Sequence, residues 1–203
     1  TQFWFWYLVQ QSKSHGLKHA IFSPETGSAT EIFAELVQVA AGKDFFNTYN
    51  SQMTEEERDA AMVFVETYFI VIDPSHKVIT HIDFFNYLNE IERVYNVKLH
   101  TATIDPFNEF RQDLSKYSNR QDLYLEAVLS EVRENARTNN RHNCIITHVQ
   151  DQQILTENGI RYYPIPTYRQ IAGGQAWSRK GMNMVAIWRP KDGLCDPEGI
   201  PYP

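Results

Sequence analysis

The chain has 203 residues, is 42% hydrophobic and 22% charged, and carries a formal net charge of −6. That balance excludes a disordered or fibrous chain and is enough to bury a core without staples. Two cysteines, Cys144 and Cys195, exclude a disulfide framework and fit a reducing compartment, and no apolar run reaches the roughly 18 residues of a membrane-spanning helix.

Taken in chain order, Thr1-Gln2-Phe3-Trp4 lacks the basic stretch that opens a signal peptide. Residues 2–13 are mostly aromatic and aliphatic and run into Gly16, which predicts a helix stopped there. His19 to Ser23 is a short apolar run suited to a buried strand. Thr30 to Ala41 places Ile32, Phe33, Leu36 and Val37 on one helix face, with Gly42 just past the end. Thr54 followed by Glu55, Glu56 and Glu57 predicts another helix start, because threonine caps and early carboxylates suit the helix dipole. Tyr68 to Ile72 reads as a strand, Asp83 to Tyr95 as a helix and Leu99 to Ile104 as a strand. Asp122 to Arg137 is a long amphipathic helix, Cys144 to Thr147 a strand, and Met184 to Trp188 the last strand. Residues 150–176 form the longest stretch without clear periodicity, and such a stretch is usually functional or mobile.

Strands alternating with helices imply an α/β fold: a mostly parallel central sheet, flanked by helices and joined by right-handed crossovers. The strands are continuous apolar runs, as expected when both faces are covered. The 99–104 strand is expected to be central, beside a 142–147 strand.

Several strands end in polar residues. Phe22-Ser23-Pro24-Glu25 puts a carboxylate past the first, Ile72-Asp73 and Ile104-Asp105 repeat the pattern, and Thr147-His148 adds an imidazole. Acids do terminate strands as ordinary turn residues. As a set, though, these side chains converge on the carboxyl ends of parallel strands, where open sheets bind ligands. The last quarter differs in charge. Residues 1–159 hold 13 basic and 22 acidic side chains, net −9, and residues 160–203 hold six basic and three acidic, net +3. If the protein touches a polyanion, this last segment is where binding is expected. There Tyr162, Tyr163, Tyr168 and Trp177 mingle with Arg161, Arg169, Arg179 and Lys180 around Gly173-Gly174, a mixture suited to single strands. The phosphate-binding motif G-x-x-x-x-G-K-[ST] does not occur; Gly42-Lys43 is followed by Asp44.

The segment Tyr68 to Phe110, YFIVIDPSHKVITHIDFFNYLNEIERVYNVKLHTATIDPFNEF, resembles part of the DnaB-like and Twinkle-like hexameric helicases, the RecA-fold ATPases of phage and bacterial primase-helicases. It matches their run from an inner strand, through a threonine-started helix, to the Walker B strand. Phe22 to Glu25 is similar to the family's F-S-x-E strand end, and Pro166 to Pro190, PTYRQIAGGQAWSRKGMNMVAIWRP, to its DNA-binding loop and following strand. The resemblance implies one RecA-like P-loop ATPase domain over residues 1–203. This domain would lack most of the Walker A loop and the family's C-terminal end. Its cofactors would be ATP and Mg²⁺, its partners single-stranded DNA and further copies in a ring, most simply a hexamer. Its place would be the cytoplasm of a bacterial or phage-infected cell, with no membrane.

Residue by residue, the resemblance makes Asp105 the Walker B carboxylate, holding Mg²⁺ often through water, and leaves Asp73 structural. Glu25 corresponds to the glutamate that orients and deprotonates the attacking water. His148 occupies the place of a residue sensing the γ-phosphate. Thr1 would be the last threonine of Walker A and a Mg²⁺ ligand. Arg169, Gly173 and Gly174 fall on the part of the loop that lines the ring's channel. Arg189 ends the last strand, and the family's arginine finger lies further on. The same fold also carries recombinases, RNA motors and degenerate modules that bind DNA or partners without hydrolysis. The I-D-P-x-N-E run and the loop favour the helicase.

Overall fold

A computed structural model describes residues 2–46, 52–73, 79–149, 154–157, 159–162, 164–171 and 173–188. They form two compact units, Thr1–Gln112 with Val132–Thr147, and Asp113–Glu131 with His148–Pro203.

The first unit is built on a four-stranded sheet of β1 (His19–Phe22), β2 (Phe69–Val71), β3 (Thr101–Ile104) and β4 (His142–Ile145), in the order β2-β1-β3-β4. Every pairing is parallel, with Ala20 opposite Ile70 and Ala102, and Thr103 opposite Cys144. The 99–104 segment is thus an interior strand beside β4, as its apolar run implies. All four residues of β1 and of β3 are buried, as expected of parallel strands covered on both faces. Ile21 belongs to a core shared with α1 (Gln2–His15), α2 (Ala29–Ala41) and α3 (Glu55–Tyr68), including Phe5, Leu8, Ile32, Leu36, Val37 and Val65. Phe22 points to the opposite face, where its ring lies 5.9 Å from Phe84 of α4 (His81–Tyr95) and stacks on Phe110 at 5.3 Å.

The helix starts follow from their caps. Ser28, Thr54 and Thr80 each accept from the backbone three residues on, and Glu31, Glu57 and Asp83 reach back to the cap N–H, three complete capping boxes. This is why α4 begins at His81 and not at Asp83, which is the third residue of its first turn. At the opposite ends, lysines donate to carbonyls in or just past a helix's last turn: Lys13 to Ala40 at 2.8 Å, Lys18 to Thr67 at 2.7 Å and Lys98 to Asn139 at 2.5 Å, just beyond α5 (Gln121–Thr138). Cations there satisfy orphan carbonyls and neutralise the negative end of the helix dipole.

A histidine lies inside the sheet. His19 is fully buried on β1, and its Nδ1 pairs with Thr101 Oγ1 across the β1–β3 register at 2.8 Å. Burial, reinforced by nearby His100, lowers its pKa from 6.5 to about 4. The folded protein therefore holds a neutral imidazole where the unfolded chain binds a proton. Stability from this group is complete above pH 6.5 and drains away as the pH falls toward 4. A gap of that size corresponds to about 3 kcal/mol. Urea titrations from pH 4 to 7 should show this slope, and His19→Gln should flatten it. A variant with the wild-type slope would assign the pH dependence elsewhere.

The second unit departs from the sequence reading. Residues 155–162 form an antiparallel hairpin, β5 (Leu155–Glu157) with β6 (Ile160–Tyr162), in which Glu157 faces Ile160. A short helix α6 (Gly174–Lys180) follows. Residues 184–188, expected to be the last strand, join no ladder among the described residues. Met184, Val185 and Ile187 are 48%, 81% and 63% exposed, so the strand-forming composition there meets no partner strand among the described residues.

Candidate functional site at the carboxyl edge of the sheet

Because β1 and β3 are adjacent and parallel, their carboxyl ends emerge side by side, carrying Ser23 and Asp105. Asp105 N–H donates to Phe22 O at 2.9 Å, which extends the ladder one step beyond the strands. Asp105 is 1% exposed and Ser23 fully buried, and Ser23 Oγ donates to Asp105 Oδ2 at 3.1 Å. Ser23 Oγ also bonds Thr26 Oγ1 at 2.7 Å, and Thr26 N–H closes a turn onto Ser23 O at 3.1 Å. Glu25 stands inside that turn and is exposed.

The next link is held as firmly. Gly27 has φ 129°, a conformation that side chains rarely adopt, and an added Cβ would lie 2.3 Å from Glu31 Oε2. That carboxylate accepts from Ser28 N–H at 2.7 Å and Ser28 Oγ at 2.9 Å, which holds Glu31 below the usual carboxylate range. Glu25 is therefore carried on a short link between the end of β1 and a capped helix.

The field of Asp105 reaches its surroundings. Burial pushes the Cys144 thiol up to about 12, with Asp105 adding to the rise. Burial also raises Glu35 on α2, and Asp105 contributes in the same direction against a hydrogen bond from Gln2. A buried carboxylate that disfavours negative charge on two neighbours marks a place where a cation or a row of donors would be stabilised. Among the described residues no group of three or more His, Cys, Asp or Glu could hold a metal ion.

The first unit thus brings together Asp105 and the Glu25 turn. Asp73 follows β2, at the outer edge of the sheet on the far side of β1 from Asp105. His148 belongs to the second unit and is exposed. Thr1 and Arg189 lie outside the described residues. Also in the second unit, Arg169 is exposed on a 3-10 turn, Tyr168–Gln170, with its guanidinium 5.9 Å from the centre of the Tyr168 ring. Gly173 has φ 77° and caps α6; a Cβ there would meet Leu125 Cδ2 at 2.3 Å. At Gly174 it would meet Tyr168 O at 2.7 Å. Both glycines are thus accounted for by close packing of the unit's own chain. Arg179 pairs with Glu126 at 3.1 Å.

Reading the strand ends for acids passed over Ser23, Thr26 and Glu35. A signal existed for the last: Glu35 stands three residues after Ile32 and next to Leu36, so helical spacing puts a carboxylate against the apolar stripe of α2.

These features define an α/β protein with an all-parallel sheet and a buried carboxylate at the carboxyl end of an interior strand. No family model matches the chain, and no curated protein matches it. Among the described residues no helix is long and apolar enough to cross a membrane.

Proposed function

We propose that the chain is the RecA-like motor core of a hexameric DNA helicase of the DnaB-like or Twinkle-like type, coupling hydrolysis of Mg²⁺-ATP to translocation on single-stranded DNA. The observation that carries this reading is Asp105, buried at the end of β3 and hydrogen-bonded to the residue that opens the Glu25 turn on neighbouring β1. An acid at the end of an interior parallel strand, with an exposed acid past the end of the neighbouring strand, offers phosphoryl transfer to water a metal-binding carboxylate and a water-orienting one.

In this reading Asp105, with Thr1, holds Mg²⁺, which when bound neutralises phosphate charge. Glu25, exposed beside the buried pair, orients water and accepts its proton. His148 senses the γ-phosphate. Arg169 and the Gly173-Gly174 segment meet the DNA backbone, where the local basic surface offsets an acidic chain once it is repeated around a ring.

The test uses the intact protein, measuring ATP hydrolysis with and without single-stranded DNA and DNA affinity across a salt series. Arg169→Ala should weaken binding similarly for all sequences, reduce DNA-stimulated turnover, and lower the salt slope by roughly 0.7 for each phosphate that is no longer neutralised. DNA binding without hydrolysis would instead support a non-hydrolysing module of the same fold. A protein that neither binds single-stranded DNA nor hydrolyses ATP would overturn the motor reading.

A further inference from the structure

We propose that Ser23 is a positioning residue, whose hydroxyl, together with that of Thr26, sets the Asp105 carboxylate and the Glu25 turn as one unit; this rests on the nucleotide-hydrolysing reading of that edge. A serine hydroxyl has a single proton. Ser23 gives it to Asp105 Oδ2, so in the 2.7 Å contact with Thr26 it must accept. The result is a directed chain: Thr26 O–H to Ser23 Oγ, and Ser23 O–H to the carboxylate.

The same two residues also close the turn through the backbone, Thr26 N–H to Ser23 O. Glu25 is thereby clamped between two points, and the side chain of the first holds a residue 82 positions away. Strand-end serines usually bond their own neighbourhood. This one does so and spans two strands as well. Ser23 is fully buried and Asp105 nearly so, so water is a poor substitute for a deleted hydroxyl. Thr26 is half-buried, and Gly27 with the Ser28–Glu31 capping box pins the chain just beyond it. The geometry relating the two acids therefore depends on two hydroxyls that have no chemistry of their own.

The experiment compares Ser23→Ala, Thr26→Val and Thr26→Ser in the intact protein. Thr26→Val keeps the shape and removes the donor; Thr26→Ser keeps the donor. Three measurements are made: kcat and KM for Mg²⁺-ATP, affinity for a fluorescent ATP analogue, and hydrogen exchange at the Thr26 amide without nucleotide. Ser23→Ala should lower kcat by roughly 10- to 100-fold, the range for residues that orient a primary ligand, with KM and analogue affinity changed far less. Thr26→Val should fall in the same direction and Thr26→Ser should return close to wild type. Exchange at Thr26 should quicken in Ser23→Ala and Thr26→Val. Wild-type kcat in Ser23→Ala, or Thr26→Ser no better than Thr26→Val, would overturn the proposal while leaving the motor reading intact. A wild-type protein that binds no analogue and hydrolyses nothing would overturn that reading and this proposal with it. Unchanged exchange in both donor-deleting variants would overturn the clamp regardless of activity.

Discussion

Glu25→Gln in the intact protein is expected to lower ATP turnover by roughly 10²- to 10⁴-fold, the contribution of a positioned general base. Affinity for Mg²⁺-ATP should stay close to wild type. The substitution keeps the shape of the side chain and removes its capacity to take a proton. It acts on a residue exposed in the Ser23–Thr26 turn and outside the buried Ser23–Asp105 pair. Folding should be little changed, because substitutions of exposed side chains usually stay within about 0.5 kcal/mol. The measurement is a pair of assays on one preparation, steady-state hydrolysis and equilibrium binding of an ATP analogue. A parallel loss of turnover and affinity would make Glu25 part of the binding scaffold. Unchanged turnover would remove it from the chemistry and leave Asp105 as the sole acid of that edge with a proposed role.

What the sequence discloses about this site is uneven, for physical reasons. Thr54 with Glu57 announces a helix locally because a capping box is made within four residues, and α3 begins there. The apolar runs at 19–22, 69–71 and 101–104 are long enough to mark strands, and their alternation with helices implies parallel pairing. Their neighbours are a tertiary fact. Only the register His19 opposite Thr101 explains how a histidine survives inside β1, and only the β1–β3 adjacency brings Ser23 to Asp105. The β5–β6 hairpin does carry a sequence signal: the dipeptide Asn-Gly stands between its two strand segments in the sequence and is the strongest short-range hairpin signal. Helical and buried-strand periods do not register a hairpin this short. The reverse error falls at 184–188, where Met-Val-Ala-Ile-Trp has strand composition but no partner strand among the described residues. Composition fixes what a segment could do in a sheet; whether it does so depends on an edge being offered to it.

At the amino edge of the same sheet, breaking the Glu92–Arg141 pair is expected to cost about 3–5 kcal/mol when the glutamate is the partner removed. Arg141 precedes β4, and its side chain is 0% exposed; Glu92 lies in the last turn of α4 and is 17% exposed. Glu92 Oε2 accepts from Arg141 Nη2 at 2.7 Å, and Oε1 accepts from Leu99 N–H at 2.8 Å and Lys98 Nζ at 3.2 Å. A glutamate in the last turn of a helix opposes the dipole, so this one is held by its tertiary partners. Burial raises its pKa, but the Leu99 N–H, Arg141 and Lys98 outweigh that and hold it below 4.5. Its stabilisation is therefore present above that pH and drains away as the pH falls below it.

The two partners are not equivalent. Among the described residues, Arg141 Nε and Nη1 have no hydrogen-bond partner, so Glu92 carries most of the compensation for a fully buried cation. Glu92→Met strands that cation. Arg141→Met leaves a carboxylate that still has Leu99, Lys98 and some solvent, so it should cost clearly less. The double variant should recover most of what Glu92→Met loses, because a buried pair replaced by apolar groups is often near neutral. Chemical denaturation of the three variants and wild type completes the cycle. Equal losses for the two single variants, or a double variant as unstable as Glu92→Met, would show that the arginine is not held by this glutamate.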